Sequence, residues 1–261
     1  MSQEVVIMKN DSLKYLVPAA GGLGLVLRIL LYATGIDGRG LLVRGHWAST
    51  ALCILSVAVL AGAFIFTRKL DGKVDHEAAY PASKAAAFGA FAAMIGIGIT
   101  TVSEFATFSN RLHLIVWVLG LCSAVFMGWM GICRLGGKKP SVLLGATVCL
   151  YFALRMVSRY QRWSADPQLY DYCFYLMAYA ALMLTAYQHA AFDADMGNHR
   201  NLWFFSLMAG YLCCVSLKGI SDAALLLGCG IWAFTNLTTQ VPQEMPPECP
   251  AEPQGNEEDD L

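Results

Sequence analysis

A chain of 261 residues that is 57% hydrophobic and only 14% charged holds more apolar surface than a soluble domain of that size buries, so it reads as an all-α integral membrane protein. The formal net charge of -1 is an average: residues 241–261 carry seven acids and no Lys or Arg, which leaves 18 basic against 12 acidic residues in the rest of the chain. That mild excess suits cationic membrane loops and carries no signature of nucleic-acid binding.

A spanning helix takes about 20 mostly apolar residues, and the chain offers eight such runs, with seven as the alternative because the last two are barely separated. The N-terminal MSQEVVIMKNDSLKYLV lacks a basic region leading into a short apolar run and a small-residue cleavage site, so no removable signal peptide is expected. The first span is expected from about Leu13 to Gly35, with Pro18 near its start, and IDGRGLLVRGH turns the chain into a second from Trp47 to Thr67. The next loop, RKLDGKVDHEAAYPAS, is the most charged internal segment; its His76-Glu77 pair reads as solvated, and Pro81 and Ser83 mark a helix start.

The third span, about Lys84 to Phe108, repeats Ala92, Gly96 and Thr100 every four residues, a spacing that lets helix backbones approach closely in lipid. The fourth and fifth are expected at Arg111 to Cys133 and Val142 to Arg162, the sixth at Leu169 to Phe192, the seventh at Leu202 to Leu217. The eighth, Ile220 to Leu237, follows directly after Lys218 and Gly219. Residues 1–240 therefore make one polytopic domain. Residues 241–261, with five prolines and seven acids, make a disordered cytoplasmic tail that is either a solvated terminus or a dock for a protein partner.

Counting Lys and Arg on alternate sides gives ten with the N-terminus and the loops after the even-numbered spans, against six on the other side. The excess places both termini in the cytoplasm, and Trp47, Trp163 and Trp203 fit interfacial anchoring. Spans one and two also resemble spans five and six: each places Leu-Arg deep in a helix and an Asp in the following turn, pairing Arg28 with Arg155 and Asp37 with Asp166. Two parallel four-helix repeats would follow.

An ionisable side chain inside a bilayer is costly, about 2.5 to 3.5 kcal/mol for a mid-helix Arg on insertion scales, so each one asks for a partner. Arg28, Glu104 and Arg155 lie past the midpoints of three spans that run the same way, which assigns them to the outer half of the membrane. Arg159 and Arg162 follow Arg155 on the same helical face. Two arrangements stay open: the arginines snorkel outward while Glu104 neutralises a neighbour, or Arg28, Arg155 and Arg159 receive a small anionic ligand in a pocket walled by Tyr32, Tyr151 and Tyr172. A second polar group, His189 and Asp193 with Asp195 and His199 beyond them, has weak metal-ligand spacing and lacks an H-E-x-x-H motif, so it reads first as a solvated helix end.

Eight of the nine cysteines fall inside apolar segments with no C-x-x-C pair, as small buried hydrophobes do. No phosphate-binding loop, kinase motif set or G-x-S-x-G elbow is present, and no cofactor is called for. The phrases LLYATGIDGRGLLVRGH and YQRWSADPQLYDY resemble those of an uncharacterised group of bacterial multi-pass membrane proteins, and the resemblance covers most of the chain except the tail. It implies a bacterial cytoplasmic membrane and brings no activity or residue role with it. Three readings follow: a small-solute transporter or ligand-binding membrane protein, a sensor or accessory subunit acting through partners, and an intramembrane enzyme, for which no nucleophile or metal cluster is found.

Overall fold

The computed structural model describes residues 2–36, 43, 45–68, 70, 82–107, 111–163, 169–217 and 220–239. These residues form an all-α structure of eight helices: α1 (Ser2–Thr34), α2 (Trp47–Thr67), α3 (Lys84–Ser103), α4 (Arg111–Leu135), α5 (Val142–Trp163), α6 (Leu169–Asp193), α7 (His199–Val215) and α8 (Ile220–Thr239). A 3-10 turn, Glu104–Thr107, follows α3. Asp37, His76, Glu77, Asp166, Lys218, Gly219 and the tail 241–261 lie outside the described residues.

Five helices, α1 through its Leu16–Thr34 segment and α2 to α5 whole, are long and apolar enough to cross a membrane. The other three are more polar inside, burying Gln188, His189 and Asp193 on α6, His199 and Ser206 on α7, and Asp222 and Asn236 on α8, while α4 and α5 bury Arg134, Arg155 and Arg159. Two boundaries differ from the hydropathy reading by more than three residues. Helix α1 starts at Ser2, because an apolar run measures bilayer thickness rather than helix length. Helix α3 stops at Ser103, so Glu104 sits in the turn after the helix instead of inside a span reaching Phe108.

Local chemistry sets several starts. The Ser83 side chain caps α3 by accepting from Ala86 N–H, and Asn198 caps α7 by accepting from Arg200 N–H at 3.1 Å. Helices α3 to α8 close into a ring, each packed on the next, with α8 returning to α3; the α1–α2 hairpin leans on α7 from outside. The seam that closes the ring needs glycine. A Cβ added at Gly96 would stand 2.3 Å from the Ala224 carbonyl oxygen, and one at Gly228 would stand 2.4 Å from that of Ala92, so the two backbones meet where neither residue has a side chain.

The pairs α1–α2 and α5–α6, alike in sequence, are packed differently. Helices α5 and α6 are neighbours within the ring, whereas α1 and α2 share α7 as their main partner outside it. Outward faces are apolar, including Ile54, Val57 and Ile65 on α2 and Val125, Trp129 and Ile132 on α4, while the ring interior buries Tyr151, Phe152, Tyr179 and Leu182. An apolar exterior over a partly polar interior is the pattern lipid selects.

Candidate functional site

Helix α5 turns one face inward at a spacing of three and four residues: Val148, Tyr151, Phe152, Arg155, Ser158 and Arg159 are all buried. That face carries Arg155 into the ring, where its guanidinium is 2% exposed and has three hydrogen-bonding directions. Its Nη1 and Nη2 donate to the two carboxylate oxygens of Glu104, each at 3.0 Å, which is the paired fork that arginine offers a carboxylate. Nη2 also donates to Asp222 Oδ1 at 2.7 Å, and Nε to the Tyr179 hydroxyl at 3.4 Å. One turn on, Arg159 Nη2 donates to Glu104 Oε1 and, at 2.7 Å, to Asp222 Oδ1. The rings of Tyr151 and Tyr179 lie 5.8 Å from the Arg155 guanidinium carbon and that of Trp163 lies 6.0 Å from Arg159, adding cation–π attraction.

Two guanidinium groups thus meet two carboxylates, and the network is neutral as a whole. Helix α5, which carries the arginines, is a ring neighbour of neither α3, whose end leads to Glu104, nor α8, which carries Asp222. The ion pairs therefore cross the interior, while the Arg155–Tyr179 bond joins two adjacent helices. The two acids are held unequally, since the Asp222 side chain is 7% exposed and that of Glu104 26%. Glu104 faces a cleft bounded by His113, Trp117, Ser158, Arg159 and Arg162, where Arg162 Nη2 lies 3.3 Å from His113 Nε2. The enclosed space is about 20 Å³, room for about one water molecule.

Of the residues singled out from sequence, Glu104, Arg155, Arg159 and Tyr151 are brought together here. Arg28 and Tyr32 are elsewhere. Arg28 is buried where α1 meets α6, its guanidinium carbon 5.2 Å from the rings of both Tyr32 and Phe174. Among the described residues neither it nor Tyr32 lines the cleft, because α1 lies outside the ring that Arg155 points into. Tyr172 stacks on Trp163 with ring centroids 4.3 Å apart and planes 13° apart. The residue missed from sequence is Asp222. The sequence signal for it is of the same kind as that of Glu104, an acid near the end of an apolar run. Tyr179 had no signal beyond being one aromatic among several in α6.

The second polar group also crosses the ring, at the opposite end of α6 and α8. His189 Nε2 on α6 is 3.2 Å from Asn236 Nδ2 on α8, with the His189 ring 5.0 Å from that of Trp232. Asp193 at the end of α6 faces Arg134 of α4 at 3.9 Å. His199 Nε2 accepts from Trp203 Nε1–H at 2.9 Å. All of these groups are buried, so His189, Asp193 and His199 form an interior cluster, and of the expected solvated helix end Asp195, ion-paired with Lys139, faces solvent. Hydropathy could not distinguish the two, since polar residues at the end of a run look alike whether they face water or a neighbouring helix.

Comparison with protein families, with curated proteins and with solved structures finds no match to the chain.

Proposed function

We propose that the chain is a multi-pass protein of a bacterial cytoplasmic membrane, with eight spans and both termini in the cytoplasm, whose helix ring binds and moves a small anion. The observation that carries this reading is the pair Arg155 and Arg159, buried inside the ring and held there by one fixed acid, Asp222, and one acid at an opening, Glu104. A buried ion network adds little net stability compared with apolar residues of the same volume. Ionisable groups kept inside a membrane bundle and turned away from lipid mark substrate or ion pathways. The cations are the buried partners and the exchangeable member is an anion, which sets the sign of the ligand.

The second cluster, Arg134, Asp193, His189 and Asn236, supports passage through the ring, since it puts polar side chains at the other end of the same interior. The test is solute flux in proteoliposomes with labelled chloride, acetate and phosphate. Wild-type protein is expected to carry at least one of them, and Arg155→Gln and Arg159→Gln, recovered as folded protein, are expected to carry none. Flux that is absent from wild type, or unchanged in both variants, would sink the transport reading.

A sensor or accessory role through the acidic tail is the second reading, favoured by a cleft with room for about one water. Co-purification of a stoichiometric partner that is lost on removing residues 241–261, without anion flux, would select it.

A further inference from the structure

We infer that Glu104 is a resident stand-in for the ligand: the site takes a small monocarboxylate, which replaces the Glu104 carboxylate on the guanidinium groups of Arg155 and Arg159. This rests on the anion reading above and gives that anion a chemical class.

Three observations lead to it. The first is shape. Arg155 presents both Nη atoms to the two oxygens of one planar carboxylate at 3.0 Å, with Arg159 bonded to one of the same oxygens. The guanidinium fork pairs with carboxylate and with phosphate alike, so the seat's shape identifies an oxyanion and the charge balance at the site narrows it to a monocarboxylate.

The second is the inequality of the two acids. Asp222 is buried in α8 and bonded to both arginines at 2.7 Å, so it is the permanent counter-ion. Glu104 reaches the same arginines from a 3-10 turn after the end of α3, a quarter exposed and bordering the cleft. On this inference rotation of its side chain toward the cleft would vacate the seat, and Arg162 at the border would draw anions toward it.

The third is charge. With Glu104 withdrawn, two guanidinium groups and one Asp222 carboxylate leave a single positive charge. A monoanion restores neutrality, whereas a dianion leaves an excess charge in a low-dielectric interior, where it is costly. The vacated seat sets the size at a small acid or the carboxylate end of a slender one, because the cleft of about 20 Å³ adds little room once Glu104 has turned toward it.

The experiment is thermal unfolding of wild-type, Glu104→Gln and Glu104→Gln/Arg155→Gln protein in lipid nanodiscs, titrated with sodium acetate, sodium chloride or sodium sulfate. Glu104→Gln is expected to melt below wild type in chloride and to recover toward it in acetate. Its apparent acetate affinity should exceed that of wild type by about tenfold or more, because wild type must first expel its own carboxylate. The double variant should not respond. Should Glu104→Gln fail to fold in chloride, purification in acetate decides: recovery of folded protein supports the inference, and failure there overturns it. Glu104→Asp, whose shorter side chain holds the seat less well, should show an acetate affinity between those of wild type and Glu104→Gln; a value equal to that of wild type counts against the inference. A Glu104→Gln protein that answers acetate no better than chloride, or sulfate better than acetate, overturns it. Anion flux by wild type that persists with those results leaves the broader anion reading standing, and its absence removes that reading on separate grounds.

Discussion

The two polar clusters cross the same helix ring at opposite ends, about 21 Å apart along α8 at the rise of an α-helix. They do so by different means. At the Arg155 end, four charged groups are interlocked, and no single one can be removed without leaving another charge unmatched inside the ring. At the His189 end, neutral bonds, His189 to Asn236 and Trp203 to His199, share the space with one looser ion pair, Arg134 to Asp193 at 3.9 Å. A neutral hydrogen bond contributes about 1 kcal/mol and its partner tolerates rearrangement. A buried charge that loses its partner costs about 3 to 5 kcal/mol. The difference separates an end tied mainly by neutral bonds from one whose neutrality depends on all four of its members.

Substitutions can break that contrast, and the largest effect is expected for Arg155→Met. It leaves two acids facing Arg159 alone and should destabilise the protein by about 3 to 5 kcal/mol, read as a lower unfolding midpoint in nanodiscs or as loss of folded yield. A loss below about 1 kcal/mol would mean that the network is less rigidly held than its geometry implies. Gly96→Leu, which drives a side chain into the Ala224 carbonyl, should cost about 3 kcal/mol or more by prising α8 from α3, and should weaken both clusters because both depend on where α8 sits. A Gly96→Leu protein as stable as wild type would show that the seam can open freely.

A smaller effect is expected at the other end. Asn236→Ala removes the His189 contact and a little volume, for a loss of about 1 to 2 kcal/mol. A cost equal to that of Arg155→Met would erase the distinction between the two ends. The smallest effect belongs to Arg162→Gln. This exposed residue at the cleft border should change stability by no more than about 0.5 kcal/mol. If anions enter by that route, it should lower their rate of entry, with the effect shrinking as salt is raised. A reduction that ignores ionic strength would place Arg162 in a structural role.

Much of the architecture was legible before any coordinates. Apolar runs of spanning length, broken by charged turns, located the eight helices, all but the start of α1 to within about five residues, since the need to satisfy backbone hydrogen bonds and avoid exposed polar groups in lipid acts along the chain itself. The start of α3 at Ser83 and the close approach at Gly96 were written in residue type and spacing. Arg155 and Glu104 stood out for the same reason, as charges in or beside apolar runs.

Partnership was not legible. Arg28 and Arg155 look alike as sequence, each preceded by Leu and set deep in an apolar run, yet one lies against the rings of Tyr32 and Phe174 and the other meets Glu104 and Asp222. The sequence by itself determined that these charges lie in apolar helices and that partners were required, because desolvation is a property of each residue and its immediate neighbours. Only the tertiary structure decided which partners they have. Ring closure by α3 and α8 brings residues 104, 155 and 222 to one point, and a hydropathy pattern carries no information about which helix faces which.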